Sequence, residues 1–185
     1  MKKLSLFLSA FLITVMLFNG CKKDETAVAP PVPGNEFLTT VQLVVVNAAD
    51  PTDRDTVAVK QLPDQPIDYT NASLHLKANS TYNVSVRFLD ETQTPAGNVT
   101  DDIYARRNYH LICFTTDASL ALTVTRTDLD TNTPALPVGL QDRFSTGSAG
   151  SGKMNVRLRH QPNAKNGDCD PGSSDADVNF SVTIQ

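Results

Sequence analysis

Apolar and polar residues alternate along most of the chain from about residue 36 onward. In TYNVSVRFL, residues 81–89, apolar side chains fall on every second position, so one face of the segment is apolar. Alternation with a period of two predicts a half-buried β-strand. The segments that show this pattern, or a short apolar run, are TTVQLVVVNA (39–48), ASLHLKA (72–78), TYNVSVRFL (81–89), YHLICF (109–114), SLALTVTRT (119–127), KMNVRLRH (153–160) and ADVNFSVTI (176–184).

The spacing of these segments predicts an all-β fold. Short stretches rich in Pro, Gly, Asn and Asp separate them, and we predict only one helix, a short one at residues 101–107. Regularly spaced short strands are typical of antiparallel sandwiches. The segment LKANSTYNVSVRFLD, residues 76–90, also resembles immunoglobulin-like or fibronectin-like modules. We therefore expect an antiparallel immunoglobulin/fibronectin-like β-sandwich of seven or eight strands in residues 36–185.

The first 20 residues have the pattern of a secretory signal peptide. Lys2 and Lys3 precede an apolar run at residues 4–18, and Gly20 stands directly before Cys21. A short apolar run that ends at a small residue favours a segment that is removed on export. The alternative, a membrane-anchoring helix, needs about 20 apolar residues, which is more than this run supplies.

Gly20 and Cys21 resemble the lipobox of bacterial lipoproteins, although Phe18 and Asn19 depart from its usual residues. The resemblance implies that Cys21 becomes the first mature residue and carries a palmitate-type lipid anchor. Residues 21–35 contain CKKDE and three prolines, so we expect a tether. CKKDE resembles the export tag of Bacteroidota surface lipoproteins, and a plain solvated linker is the alternative. We expect the protein to be anchored in the outer membrane, with its domain on either the cell surface or the periplasmic side.

The charge and the glycine pattern argue against nucleic acid and nucleotide as partners. The formal net charge is −4, and removal of Lys2 and Lys3 would make it −6, whereas nucleic-acid binding needs a basic surface. TGSAGSGKM, residues 146–154, has the G-x-x-x-x-G-K spacing of a phosphate-binding loop. However, Met154 replaces the required Ser or Thr, and a strand pattern follows instead of a helix. We interpret the stretch as a flexible loop or hairpin connection.

The reactive side chains of the sequence form no pattern that indicates a catalytic site. The sequence has no G-x-S-x-G motif, and Cys113 lies in an apolar strand, where a thiol is usually inert. Outside the cytoplasm Cys113 and Cys169 could form a disulfide, and two separate thiols are the alternative. We therefore expect a protein that is not an enzyme.

Two histidines and a carboxylate are candidates for a transition-metal site. His160 continues the inward series of its strand, and His110 shares a face with Ile112. Neutral imidazoles at the rim of a sandwich are natural ligands for zinc or copper, so we take His110, His160 and Asp128 as candidate ligands. Hydrogen-bonded rim histidines are the alternative, because no H-x-H or H-x-x-x-H spacing supports a site.

An acidic pattern raises calcium as the other candidate metal. TDLDTN places Asp128, Asp130 and Asn132 at alternate positions, and DCDPGSSDAD contributes further carboxylates that include Asp168 and Asp170. Alternating oxygen ligands are typical of calcium loops. No glycine occupies the sixth position and no closing glutamate follows, so the loop is not an EF-hand. A solvated acidic loop with Asx turns is the alternative.

The ordered motifs of the chain resemble a family of Bacteroidota lipoproteins over nearly the whole mature length. The segments that carry the resemblance are GNEFLTTVQL, LKANSTYNVSVRFLDE, NYHLICF, VTRTDLDTNTPALPVGLQDRFSTGSAGSGKMNVRLRHQP and DADVNFSVTIQ. Members of this family are often encoded beside TonB-dependent outer-membrane receptors. The resemblance therefore implies a partner in nutrient or metal uptake, and it brings no catalytic role.

Three hypotheses follow from the sequence. The leading one is a lipid-anchored, non-catalytic outer-membrane protein that binds a ligand or metal (zinc, copper or calcium) as an accessory to a TonB-dependent receptor. The second is a structural or adhesive module that calcium stabilises. The third, a hydrolase, has the least support because nothing in the sequence selects an acid/base pair.

Overall fold

The structure, a computed structural model, describes residues 37–185, which contain ten strands and one short helix. Their bounds are β1 Thr40–Asn47, β2 Arg54–Lys60, β3 Ser73–Leu76, β4 Thr81–Asp90, β5 Gly97–Asn98, α1 Thr100–Ala105, β6 His110–Thr116, β7 Leu122–Arg126, β8 Gln141–Thr146, β9 Gly150–His160 and β10 Ser173–Ile184. The predicted signal peptide and tether, with Cys21, lie outside the described residues. Within residues 37–185 no helix is long and apolar enough to cross a membrane.

The strands form two sheets. The larger sheet has the order β2-β1-β4-β8-β7, with β5 paired to β4, and the smaller sheet has the order β3-β10-β9-β6. Neighbouring strands are antiparallel except β3 and β10, which run parallel. The inward faces of the two sheets build one continuous hydrophobic core. Its largest fully buried side chains include Phe88, Phe144 and Phe180, one from each of three strands.

This architecture confirms the predicted all-β sandwich, and it contains more strands than the seven or eight expected. Strands β2, β5 and β8 were not predicted. In β8 only one of the three inward positions is apolar, because Asp142 and Thr146 flank Phe144 there. The predicted helix at residues 101–107 corresponds to α1, which begins one residue earlier and buries Ile103 against the core.

The glycine-rich stretch connects the two sheets. Strand β8 ends at Thr146 in the larger sheet, and β9 begins at Gly150 in the smaller one. Gly152 lies within β9, opposite Val182 of β10. A strand follows the stretch where a phosphate-binding loop requires a helix. The connection is therefore a crossover between sheets.

The two ends of the sandwich differ in the length of their connections. One end, the turn end, carries the short connections 48–53, 77–80, 117–121 and 147–149. The other end, the loop end, carries the longer segments 91–109, 127–140 and 161–172. Cross-strand pairing brings the loop segments together, because His110 of β6 lies opposite His160 of β9, which in turn lies opposite Ser173 of β10.

Candidate binding site at the loop end

A disulfide ties one loop of the loop end to the smaller sheet. Cys113 of β6 is bonded to Cys169 of the 161–172 segment, with 6.0 Å between the Cα atoms and a sequence separation of 56. Because the cross-link closes a long loop, it removes many conformations from the unfolded chain. Of the two alternatives that the sequence leaves open, the structure has the disulfide.

The two histidines predicted at the rim lie side by side on the inner face of the smaller sheet. Their rings stack with centroids 5.1 Å apart and planes 24° from parallel. The Nδ1 atom of His110 lies 3.2 Å from the carbonyl oxygen of Arg106, and its Nε2 atom lies 3.6 Å from Asp175 Oδ2. Both nitrogens of this buried ring therefore face acceptor oxygens.

His160 has a different environment from its partner. Its Nε2 atom is buried and has no hydrogen-bond partner in the described part of the chain. Burial lowers the pKa of His160 below its ordinary value; the charges of His110 and Arg106 act in the same direction, and the Asp175 carboxylate opposes them. The fold therefore favours the neutral form of this ring.

The third candidate metal ligand, Asp128, is engaged elsewhere. Its two oxygens accept hydrogen bonds from the backbone amides of Gly139 and Leu140, at 2.7 and 3.1 Å. Gly139 has a φ of +92°, and a side chain there would press against Ile112, so glycine is needed for this turn. Among residues 37–185 no group of three or more His, Cys, Asp or Glu could hold a metal ion. The predicted site of His110, His160 and Asp128 is therefore not assembled there.

In the acidic loop, a lysine occupies the position that calcium was expected to take. Lys165 Nζ lies 2.8 Å from Asp130 Oδ2, and both side chains are almost completely buried. Asp130 also accepts hydrogen bonds from the amides of Asn132 and Leu136 and from the Asn132 side chain. Burial acts to raise the pKa of Asp130, but these donors and Lys165 together hold it below its ordinary value.

The remaining calcium candidates serve the loop backbone. Asp168 accepts hydrogen bonds within its own loop, from the side chain of Asn166 at 3.2 Å, and its carbonyl oxygen binds Gln161. The carbonyl oxygen of Asp170 accepts a hydrogen bond from Arg159. Because Asn132 donates to Asp130 through its amide, it too stabilises the loop. The bond from the Asn132 amide to Asp130 Oδ1 fits the Asx turns of the alternative interpretation, but Asp130 is buried and not solvated.

A second buried carboxyl group lies between the sheets. Asp142 of β8 is only 3% exposed, and neither of its oxygens has a hydrogen-bond partner among the described residues. Burial raises its pKa to about 8; the Asp128 carboxylate adds to the effect and Arg126 opposes it. Arg126 lies opposite Asp142 in the sheet, and its Nε atom donates to the carbonyl oxygen of Ile112 at 2.6 Å.

A cleft of about 490 Å³ opens between the three loops at this end. Its lining comes from the chain just before β6, from the β7–β8 loop and from the β9–β10 loop: Asn108, Tyr109, Asn132, Thr133, Pro134, Leu136, Asn163, Lys165 and Asn166. This volume lies in the range of small-molecule sites, about 300–1,000 Å³. The loop end therefore offers a concave, polar surface.

Lys165 and Asp142 shape the site and do not belong to the predicted set, whereas Asp175 belongs to the acidic pattern DCDPGSSDAD. Its place beside His110 depends on a register shift between β9 and β10, which alternation in the sequence does not reveal. Lys165 stands in a loop without periodicity, so nothing nearby connects it with Asp130. Asp142 does leave a signal, because it occupies an inward position two residues before Phe144.

Comparisons of the chain with protein-family models, with curated proteins and with solved structures find no match.

Proposed function

We propose that the protein is a lipid-anchored, non-catalytic binding protein of the outer membrane whose loop end contacts the ligand. The observation that carries the proposal is the disulfide between Cys113 and Cys169. Disulfides persist in oxidising compartments outside the cytoplasm. This agrees with the signal peptide and the lipid-carrying Cys21 expected from the sequence. A TonB-dependent receptor is the partner that the family resemblance implies.

Two features of the loop end support binding over the other functions. Lys165 already neutralises Asp130, so the calcium-stabilised module loses its central ligand. Asp142, the carboxyl group whose pKa is raised to about 8, is too deeply buried to meet a substrate, so a hydrolase has little support. The cleft between the loops, by contrast, is open to solvent, and hydrogen bonds and the disulfide join its walls.

Expression of the full chain with labelled palmitate tests the anchor. We expect the wild type to incorporate the label and to sediment with outer membranes, and Cys21→Ser to lose both properties. Cross-linking in intact cells, followed by purification of the protein, should recover a TonB-dependent receptor. An unlabelled wild-type protein in the soluble fraction would contradict the proposal.

A further inference from the structure

We propose that the cleft at the loop end binds a neutral, hydroxyl-rich ligand with the chemistry of an uncharged oligosaccharide. This inference rests on the proposed binding function and assigns it a ligand class. Three properties of the lining carry it: the absence of free charge, the pattern of hydrogen-bonding groups, and an exposed aromatic ring together with apolar residues.

The lining of the cleft presents no free charge. Among the lining residues, Lys165 is the one with an acidic or basic side chain, and that side chain is 2% exposed. The ammonium group is held by Asp130 and by the carbonyl oxygen of Arg107, at 2.8 and 2.9 Å. Anionic ligands such as phosphates are bound through available Arg or Lys donors, and no carboxylate lines the cleft for a cation. The cleft therefore suits an uncharged ligand.

The asparagines of the lining offer both donors and acceptors. Asn108 uses its side-chain oxygen to accept from Thr131, which leaves its NH₂ group available. Asn132 uses its NH₂ group to donate to Asp130 and to Asn108, which leaves its oxygen available. The side chain of Asn163 makes no hydrogen bond with another described residue. Hydroxyl groups donate and accept at once, so a hydroxyl-rich ligand can use both kinds of group.

Apolar contacts complete the lining. Tyr109 is 41% exposed, and Pro134 and Leu136 of the β7–β8 loop also line the cleft. The face of an aromatic ring can cover the C–H face of a sugar ring while its hydroxyl stays in water. An extended peptide would add to an open strand edge. The edge of β6 beside the cleft is already occupied, because the amide of Ile112 donates to the carbonyl oxygen of Val138.

The walls of the cleft are joined to each other before any ligand arrives. Thr131 binds Asn108, and Lys165 binds the carbonyl oxygen of Arg107, so each of the other two loops is fastened to the segment before β6. The disulfide fixes the β9–β10 loop, which contains Lys165, to β6 as well. A ligand therefore has few loops to order, which lowers the entropic cost of binding.

Nuclear magnetic resonance of the side-chain amides tests the assignment. The protein is purified from cells in a detergent without a sugar headgroup and titrated separately with six probes. These are maltohexaose, cellohexaose, xylohexaose, hexa-N-acetylchitohexaose, the acidic oligomer hexagalacturonate and a neutral hexapeptide. We expect at least one neutral oligosaccharide to shift the amides of Asn108, Asn132 and Asn163 in a saturable manner. Absence of such shifts with all four neutral sugars, or shifts with the acidic oligomer or peptide alone, overturns the proposal.

Two tyrosine variants locate the contact. Tyr109→Ala should weaken the affinity for the bound sugar about tenfold or more, as expected for an aromatic hot spot. Tyr104→Ala is the matched control, because Tyr104 is also exposed but lies on α1 outside the cleft lining, and it should change the affinity less than about twofold. Equal affinities of wild type and Tyr109→Ala would overturn the proposal. A protein that is lipidated yet fails this test would lose the ligand class and keep the proposed function.

Discussion

Two buried carboxyl groups at the loop end differ in charge state, because one is ionised and the other is neutral. Asp130 and Asp142 are 5% and 3% exposed, so both have lost nearly all contact with water. Asp130 is surrounded by backbone and side-chain donors and by Lys165, and its pKa is lowered. Asp142 has no hydrogen-bond donor on either oxygen among residues 37–185, and its pKa is raised to about 8. Similarly low solvent exposure therefore accompanies an ionised group in one place and a neutral group in the other.

The difference shows what the loops contribute. Burial alone penalises the charged form, and a carboxylate stays ionised only where donors replace the lost water. The 127–140 and 161–172 segments supply those donors to Asp130 because they fold around it. Asp142 extends from a strand into the space between the sheets, where the backbone groups of the strands already pair with one another. Irregular backbone at the loop end thus builds a polar site that the regular strands cannot build.

Asp142→Asn and Asp130→Asn should change the stability of the protein in opposite directions. The change for Asp142→Asn is the largest that we expect. Below the unfolded pKa of about 3.9, Asp142 is neutral in both states; as the pH rises to about 8, only the unfolded state ionises, which favours unfolding. The stability gain of Asp142→Asn should therefore grow with pH, by up to about 5 kcal/mol between pH 4 and pH 8. Asp130→Asn should instead lose stability at pH 7.

Urea unfolding of both variants, followed by circular dichroism between pH 4 and pH 9, measures this contrast. The change with pH is the decisive quantity, because it is independent of any constant cost of the amide group. A stability difference between Asp142→Asn and the wild type that stays flat across this range would show that Asp142 is ionised in the fold.

Removal of the lysine beside Asp130 tests the other half of the comparison. Lys165→Met should destabilise the protein by about 3–5 kcal/mol at pH 7, because it leaves a buried carboxylate without its counter-charge. Lys60→Met is the matched control, since the ion pair of Lys60 with Glu91 is partly exposed at the surface, and it should cost less than about 1 kcal/mol. Urea unfolding measures both variants. Equal losses would mean that hydrogen bonds alone hold Asp130.

Removal of the disulfide tests whether the Lys165–Asp130 ion pair can hold the 161–172 segment in place by itself. With a sequence separation of 56 between Cys113 and Cys169, the loop-entropy argument gives about 4 kcal/mol, and measured losses usually fall between about 2 and 5 kcal/mol. We expect the Cys113→Ser, Cys169→Ser double variant to lose stability within that range and to keep the Lys165–Asp130 contact. Protection of the Lys165 amine from chemical modification reports on the contact. Rapid modification in the double variant would show that the disulfide is needed to form it.

The sequence predicts the regular part of this fold because alternation depends only on neighbours along the chain. Strand β4 shows the rule, with apolar residues at all its central inward positions. Strand β8 shows its limit: two of its inward positions hold Asp142 and Thr146, so local alternation is lost. The structure pairs it between β4 and β7, and its neighbours stabilise what its own composition does not.

The site is less predictable because its contacts join distant segments. Alternation places His110 and His160 on inward faces, and the structure makes them direct cross-strand neighbours. Their partner Asp175 depends on a register shift, and the pairing of Lys165 with Asp130 spans two loops without periodicity. Residue type alone suggested that His110, His160 and the aspartates bind a metal ion. In the structure, Lys165 contacts Asp130, backbone amides donate to Asp128, and a carbonyl oxygen lies beside His110.

Substitution of His160 should produce the smallest change in stability. The pH dependence that His160 contributes has the opposite sign to that of Asp142. Because its folded pKa is lowered, the contribution of His160 to stability is complete above the unfolded value of about 6.5 and is lost as the pH falls through the folded pKa. In the wild type, Asp142 masks this loss, since its own contribution improves as the pH falls. The loss should therefore become visible in the Asp142→Asn background, as a decline in stability below pH 6.5. Adding His160→Gln should flatten the decline, and His75→Gln, on the exposed face of β3, is the matched control. A decline that persists without His160 would place the acid-sensitive group elsewhere.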